Sequence, residues 1–289
     1  MPIARVNGIS IFYEEHGQGY PLLWSHEFAG DYRSWEPQVR FFSRRYRVIT
    51  YSARGYLPSE VPDDPDAYSQ AHAIADLRGL LLHLDIERAH IGGLSMGGNV
   101  ALNFGIAHPE MARSLIVAGT GTGSTDPETF RLHVNERAAQ MRAGGMAAME
   151  DYAQSSSRVQ LRRKDPKGYE EFRSQLAEHS SIGSAHTFAG VQGRRPSIFD
   201  LEPELRALQV PTLIMTGDED DDCIEPSIFM KRAIPRSGLV VFPQSGHAIN
   251  LEEPDLFNRA VLDFLTAVES GAWAARDPGQ PSGALEAPV

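Results

Sequence analysis

The sequence has little cysteine and no excess of positive charge, and both shortages exclude whole classes of protein. Cys223 is the one cysteine among 289 residues, so no intramolecular disulfide can form. Lys and Arg number 27 against 38 Asp and Glu, which gives a net charge of −11. That balance argues against a nucleic-acid partner held through phosphate contacts, because such contacts need clustered cations.

Long apolar runs are also missing. None approaches the roughly 18 residues that indicate a membrane span. The N-terminal stretch MPIARVNGIS lacks the basic and apolar blocks of a signal peptide. We therefore expect a soluble, cytoplasmic protein with no membrane partner. A chain of 289 residues is long enough for one large α/β domain with an insertion.

Short apolar runs alternate with helical patterns over much of the chain. The Asn7-Gly8 pair indicates a hairpin between the first two strands. After it, strand-like and helix-like segments alternate as far as residue 122 and again from residue 203, where a helix is predicted from about Glu225. Such alternation implies parallel strands and helices on both faces of the sheet. The sequence therefore predicts an α/β fold with a mostly parallel central sheet.

The alternation is interrupted in the middle of the chain. Residues 123–202 contain helical patterns and no convincing strand, so we predict a helical cap inserted before the last two strands. Residues 1–122 and 203–270 then form the core. Residues 271–289 are rich in Gly, Pro and Ala without a period, and we expect a mobile tail there.

Two groups of side chains in the predicted cap have alternative interpretations. Met141, Met146 and Met149 could form an adaptable apolar wall of a pocket, although packing between helices explains them more simply. Arg194 and Arg195 could recognise a substrate carboxylate, although a solvated pair is the simpler interpretation. Substrate-binding residues cannot be assigned from the sequence.

A serine flanked by glycines lies where a strand meets a helix. In Gly93-Leu94-Ser95-Met96-Gly97, apolar residues precede the serine and a helical pattern follows it. This pattern is typical of a nucleophile elbow, a sharp turn that exposes the serine at the carboxyl edge of the sheet. The alternative is a serine that caps the helix. Its position after the fourth apolar run favours Ser95 as a nucleophile.

A serine nucleophile needs a base, and the base needs an orienting group. Among ten histidines, His247 lies between the last strand and the last helix, which places it on a loop at the same edge as Ser95. The acidic segment TGDEDDDCIEP follows another strand at that edge. It offers five candidate acids: Asp218, Glu219, Asp220, Asp221 and Asp222. The order serine, acid, histidine is the one expected of this architecture.

These motifs resemble the α/β-hydrolase family, in particular its capped esterase-like and C–C-hydrolase-like branch. The resemblance covers roughly residues 5–122 and 203–268, and it implies the α/β-hydrolase fold. In that family the acid commonly lies three residues after the glycine that ends the strand. Gly217 therefore implies Asp220 as the acid, with Asp222 as the alternative because the acidic loop is longer than usual.

The resemblance extends to two loops. YSARGYLPSEVP resembles a structural segment of the family, so Arg54 has no implied catalytic role. WSHEFAGDYRSW resembles the oxyanion loop, and the implied oxyanion donors are the backbone N–H groups of Phe28 and Met96. Glu27 stands where glycine is usual. Its carboxylate would oppose a developing oxyanion unless it is paired or points away.

The resemblance implies acyl transfer to water, with Ser95, Asp220 and His247 as catalytic residues. We expect a serine hydrolase of a small ester, thioester or lactone, which needs no cofactor and no metal. One alternative is a C–C hydrolase of a β-diketone-like metabolite that uses the same triad. The other is a ligand receptor built on a hydrolase fold. In each case the partner is a small molecule.

Overall fold

The computed structural model describes residues 2–276, which form an eight-stranded sheet with helices on both faces. The strands are β1 (Ile3–Val6), β2 (Ile9–His16), β3 (Tyr20–Ser25), β4 (Tyr46–Tyr51), β5 (Ala89–Leu94), β6 (Ala112–Ala118), β7 (Thr212–Gly217) and β8 (Ser237–Phe242). The α-helices are α1 (Glu36–Phe42), α2 (Gln70–His83), α3 (Met96–Ala107), α4 (Pro127–Gly144), α5 (Glu150–Ala153), α6 (Val159–Lys164), α7 (Pro166–Ala177), α8 (Ser181–His186), α9 (Glu202–Ala207), α10 (Asp221–Ala233), α11 (Ile249–Glu252) and α12 (Pro254–Glu269).

The sheet has the strand order β1-β2-β4-β3-β5-β6-β7-β8. β1 and β2 form the predicted hairpin, and both residues of its turn, Asn7 and Gly8, have positive φ, at 47° and 78°. β2 is antiparallel to β4, and all remaining pairs are parallel. The predicted, mostly parallel sheet is confirmed. The segments that follow β5, β7 and β8 therefore begin at one edge of the sheet.

Alternate side chains of each central strand enter two different cores. In β6, Leu115 and Val117 pack with α2, α3 and α10 on one face. Ile116 and Ala118 pack with α1 and α12 on the other. This two-residue period is what a sheet covered on both faces requires.

Between β6 and β7 the described chain forms helices and connecting turns, without a strand. We call residues 127–207 the inserted segment; the cap boundaries at 123–202 stay a prediction. A third apolar cluster joins this segment to the residues below it, including Phe28 and Met96. Met141 and Met149 are buried in that cluster and Met146 packs against it, so helix packing accounts for all three.

The start of α10 and the C-terminal tail are the two places where the structure departs from the sequence-based expectations or does not reach them. The helix expected from about Glu225 begins one turn earlier, at Asp221, because the acidic residues there occupy a helix N-terminus, where carboxylates are favoured. Residues 277–289 of the predicted tail lie outside the described residues. Within its first part, Trp273 donates a hydrogen bond from its indole to Arg236 O at 2.8 Å and packs edge-on against Phe264.

Candidate active site

Ser95 occupies a strained turn between β5 and α3. Its φ of 56° and ψ of −113° lie outside the regions that L-residues ordinarily adopt. The backbone is held there by a 2.8 Å hydrogen bond from Ser95 N to Ala118 O. A Cβ at Gly93 would collide with the backbone of Gly97, and one at Gly97 would collide with Ser25 O. The flanking glycines thus allow strand and helix to approach.

The alternative role of Ser95, a helix cap, does not apply. Ser95 is the residue before the first turn of α3, but its side chain makes no capping hydrogen bond. The hydroxyl instead lines a cavity of about 250 Å³ between the sheet edge and the inserted segment. The strained backbone therefore presents a free hydroxyl to an open space, as a nucleophile elbow does.

His247 reaches the same cavity from the loop after β8. Its Nδ1 lies 2.7 Å from Asp220 Oδ2, and both side chains are buried. Burial alone would lower the pKa of His247, but the Asp220 carboxylate opposes it, and the pKa is raised above its ordinary value. Burial would raise the pKa of Asp220, which the histidine instead holds low. The carboxylate thus accepts a hydrogen bond from Nδ1–H, which leaves Nε2 for Ser95.

The structure separates Asp220 from the other four acids. Asp220 precedes α10 and turns back to the histidine loop. Asp218 accepts a hydrogen bond from Ser245 N in the turn after β7, and Glu219 accepts from Gln160. Asp222 lines the cavity but makes no hydrogen bond to His247 among the described residues. Asp221 is exposed. The geometry therefore favours Asp220 over Asp222.

Ser95 and His247 both line this cavity. No hydrogen bond joins their side chains in the described structure, where the His247 ring is bonded to Asp220. Contacts between a nucleophile and its base are often long in unliganded enzymes and tighten when substrate binds. The His247 ring also lies close to Gly119 at the end of β6, whose Cβ, if present, would be 3.5 Å from the imidazole Cε1.

The two predicted oxyanion donors lie on adjoining segments. Met96 N begins α3, where the first amides of a helix have no intrahelical acceptor. Phe28 N has no backbone acceptor in the described part of the chain. The loop that carries Phe28 is fixed by His26, whose Nδ1 lies 2.6 Å from Glu27 O and whose Nε2 accepts from Ala53 N at 3.0 Å. Burial lowers the pKa of His26 to about 4, so it holds this loop as a neutral ring.

Glu27, the unusual residue of this loop, is paired. Its carboxylate forms a bidentate ion pair with Arg158 of the inserted segment: Nη1 donates to Oε1 at 2.9 Å, and Nη2 donates to Oε2. Both side chains are about 2% exposed or less. Burial would raise the pKa of Glu27, but the guanidinium outweighs burial and keeps the pKa below its usual range. The negative charge beside Phe28 is thereby neutralised.

Arg158 also belongs to the segment that fixes the histidine loop. Its guanidinium carbon lies 4.9 Å from the ring centroid of Phe172. One residue earlier, Ser157 O accepts a 3.0 Å hydrogen bond from His247 N. Sequence reasoning missed Arg158. The available signal was Glu27, since a carboxylate in an apolar loop requires a cation, but nothing in the sequence distinguishes Arg158 from the other cations of the inserted segment.

Removing one partner of this pair should destabilise the protein. Glu27→Gln leaves the Arg158 charge buried without a counter-charge, and we expect a loss of about 3–5 kcal/mol in the free energy of unfolding. The double variant Glu27→Gln/Arg158→Met removes both charges and should recover much of that loss. Urea denaturation of wild type, both single variants and the double variant measures the coupling. Additive losses would contradict a direct ionic interaction.

A buried thiol adjoins the candidate triad. The potential metal-ligating atoms of Asp220, Cys223 and His247 lie within 4.8 Å of one another. Among residues 2–276 this is the one cluster of three or more His, Cys, Asp or Glu side chains that are close enough to hold a metal ion. Burial raises the pKa of Cys223 well above its ordinary value, which disfavours the thiolate that binds metals. Two of the three residues already form the acid–histidine pair. The expectation that no metal is needed stays a prediction.

The fold and the arrangement of serine, histidine and acid are those of an α/β-hydrolase. Residues 20–254 match the family described as alpha/beta hydrolase fold, and the chain belongs to that family. Within residues 2–276, no helix combines the length and apolar character needed to cross a membrane.

Several proteins similar to this chain are named as lactonases or esterases. The chain is 28% identical over 254 residues to 3-oxoadipate enol-lactonase 1 of Acinetobacter baylyi, covering 86% of this chain and 89% of the relative. The crystal structure of the enol-lactonase from Burkholderia xenovorans has a TM-score of 0.82 at 28% identity, with 92% and 100% of the two chains covered. A thermophilic esterase from Thermogutta terrifontis also has a TM-score of 0.82 at 28% identity, covering 92% and 98%. The protein is an α/β-hydrolase-fold enzyme.

Proposed function

We propose that the protein is a serine hydrolase that cleaves a small carboxylic ester, thioester or lactone through an acyl-enzyme on Ser95. The observation that carries this proposal is the 2.7 Å contact between His247 Nδ1 and Asp220, beside a cavity that Ser95 also lines. The names of the enol-lactonase and esterase relatives support the same reaction class.

The acid–histidine pair supplies the base. Because His247 donates a hydrogen bond from Nδ1–H to Asp220, the lone pair of Nε2 is available for the Ser95 hydroxyl. As the serine oxygen bonds to the substrate carbonyl carbon, its proton passes to Nε2, and the Asp220 carboxylate stabilises the imidazolium. The imidazolium then returns the proton to the leaving alkoxide or thiolate. Water, deprotonated by the same histidine, releases the acid and regenerates Ser95.

The backbone N–H groups of Phe28 and Met96 receive the oxyanion of the tetrahedral intermediate. Each such donor, when correctly placed, is worth on the order of 10²-fold or more in kcat. The Arg158 guanidinium limits the repulsion that the adjacent Glu27 carboxylate would exert on that oxyanion. The inserted segment therefore contributes to the electrostatics of the reaction as well as covering the cavity.

Partitioning of the acyl group between water and methanol tests whether an acyl-enzyme forms. Esters of one acid with different alcohols are hydrolysed in the presence of methanol, and the ratio of free acid to methyl ester is measured. If all substrates pass through the same acyl-enzyme, the ratio is the same for every leaving group. A ratio that varies with the leaving group would contradict it. Turnover of β-diketones with none of esters would instead favour the C–C hydrolase alternative.

The fall of kcat/KM at low pH, the acid limb of the pH profile, should follow the protonation of His247. The base must be neutral, and its raised pKa places the midpoint of kcat/KM above pH 6.5. The Glu27 carboxylate raises the pKa of His247, so Glu27→Gln should move the limb to lower pH. Neutralising both partners in Glu27→Gln/Arg158→Met should move it back toward wild type. A limb that is unchanged in Glu27→Gln would contradict this electrostatic link.

A further inference from the structure

Arg195 is a half-buried cation without a counter-charge among the described residues. Its Nη2 donates to Thr122 O at 2.8 Å, and its Nη1 is buried with no hydrogen-bond partner among the described residues. No carboxylate of residues 2–276 forms an ion pair with it. Burial lowers the pKa of Arg195 to about 10, which still leaves it charged at neutral pH. Of the Arg194–Arg195 pair, which the sequence predicts to be solvated, Arg194 is exposed and Arg195 is only partly exposed.

An uncompensated buried charge is costly, and proteins normally pair such groups. The chain has 38 carboxylate residues for 27 Lys and Arg, so a counter-ion was readily available to it. An arginine cannot avoid the cost by losing its proton. The buried Nη1 therefore keeps a donor available for a partner from outside the chain.

The unpartnered guanidinium lies next to the candidate active site. It lines a chamber of about 10 Å³, which also has Arg131 in its wall and no carboxylate. Thr122, Phe130 and Gln192 line both this chamber and the cavity that contains Ser95 and His247. The guanidinium carbon lies 5.6 Å from the ring centroid of Phe130. A space of this size holds about one water molecule, or one oxygen of a carboxylate.

We propose that Arg195 binds a carboxylate that the substrate carries away from the bond to be cleaved. Thr122 and Phe130 line both spaces, so in this proposal a substrate with its carbonyl at Ser95 extends its carboxylate past them toward Nη1. The substrate class is thus an anionic ester or lactone of a carboxylic acid. This inference rests on the proposed hydrolase function and specifies its substrate.

Other charged and titratable groups line the Ser95 cavity and belong in the account. Arg137 and His133 line its outer part, and Arg137 is already paired with Asp151. Burial and the neighbouring Asp220 raise the pKa of Asp222, and its carboxylate, when ionised, would repel an anionic substrate in the cavity. We therefore expect Asp222→Asn to increase the preference for an anionic substrate, in the direction opposite to Arg195→Gln.

Matched ester pairs test the proposal. Monomethyl adipate and methyl hexanoate have the same chain length and differ in the terminal carboxylate. Acetyl esters of a hydroxy acid and of the matching alcohol place the charge on the leaving group instead. The ratio of kcat/KM within each pair is measured for wild type, Arg195→Gln and the exposed control Arg194→Gln. Each ratio is independent of the fraction of active enzyme in a preparation.

In at least one pair, wild type should prefer the charged ester by about 10- to 100-fold, as expected for a hydrogen bond to a charged group. Arg195→Gln should reduce that ratio to about one, and Arg194→Gln should keep it. A wild-type preference for the neutral ester in both pairs, or a ratio retained in Arg195→Gln, would overturn the proposal. If Arg195→Gln does not fold, Arg195→Lys serves: it keeps the charge but loses the fork, so an unchanged ratio would count against the proposal.

A binding measurement separates this proposal from the proposed reaction. Monomethyl adipate is titrated calorimetrically into Ser95→Ala and into Ser95→Ala/Arg195→Gln. Binding that weakens about 10-fold or more without Arg195 supports the carboxylate site even if wild type hydrolyses no ester, in which case the reaction alone is wrong. Equal affinity, or no binding to either variant, would overturn the carboxylate site.

Discussion

Ser95→Ala is expected to lower kcat for any ester substrate by about 10⁴- to 10⁶-fold, with the fold intact. The removed hydroxyl is the group that forms the acyl-enzyme in our account. It makes no capping hydrogen bond to α3, so its loss removes no structural contact of that kind. Alanine at a φ of 56° carries the same Cβ as serine, so backbone strain is unchanged.

The matched control is Ser270→Ala, a surface serine that bonds to Thr266 O near the end of α12. It should retain wild-type kcat. Circular dichroism and thermal unfolding show whether each variant is folded. A folded Ser95→Ala enzyme within about 10-fold of wild-type kcat would contradict the assignment of Ser95 as nucleophile.

Asp220→Asn is expected to lower kcat by about 10⁴-fold. An amide at this position can donate to His247 Nδ1, which stabilises the tautomer with its proton on Nε2, where it cannot accept from serine. It also cannot compensate the imidazolium that forms as Ser95 attacks. The volume of the side chain hardly changes, so the loss reports charge and tautomer rather than packing.

Asp222→Asn is the matched control for Asp220→Asn. Asp222 lies two residues away at the same cavity and makes no hydrogen bond to His247. Its substitution should change kcat for a neutral ester by less than about 10-fold, since it is hydrogen-bonded to neither Ser95 nor the imidazole. The opposite outcome, with Asp222→Asn inactive and Asp220→Asn near wild type, would transfer the role of the acid to Asp222.

The sequence identifies Ser95, His247 and the acidic segment because each follows a strand, and parallel strands end at one edge of the sheet; the choice of Asp220 within that segment comes from the resemblance to the family. Glycine on both sides of Ser95 marks a turn that only a close strand–helix approach requires. These signals are local, or depend only on the order of elements. For this reason the α/β architecture and the candidate triad are predictable without coordinates.

Arg158 and Arg195 are not predictable in the same way. Their importance depends on which side chains the tertiary fold brings near them: a carboxylate 131 positions away for Arg158, and no carboxylate for Arg195. Charge alone suggests a solvated residue at position 195, and the sequence offers no interpretation of Arg158. The start of α10 was placed a turn too late because a row of acidic residues is typical both of a loop and of a helix N-terminus.

The central claim, that Ser95 is the activated nucleophile, is tested most directly by covalent labelling. The protein is treated with a fluorophosphonate, digested, and the modified peptide is sequenced by mass spectrometry. We expect one adduct per chain, on Ser95 within AHIGGLSMGGNVALNFG, and much slower labelling in Asp220→Asn. An adduct on another serine, or no adduct on protein that hydrolyses esters, would contradict the account.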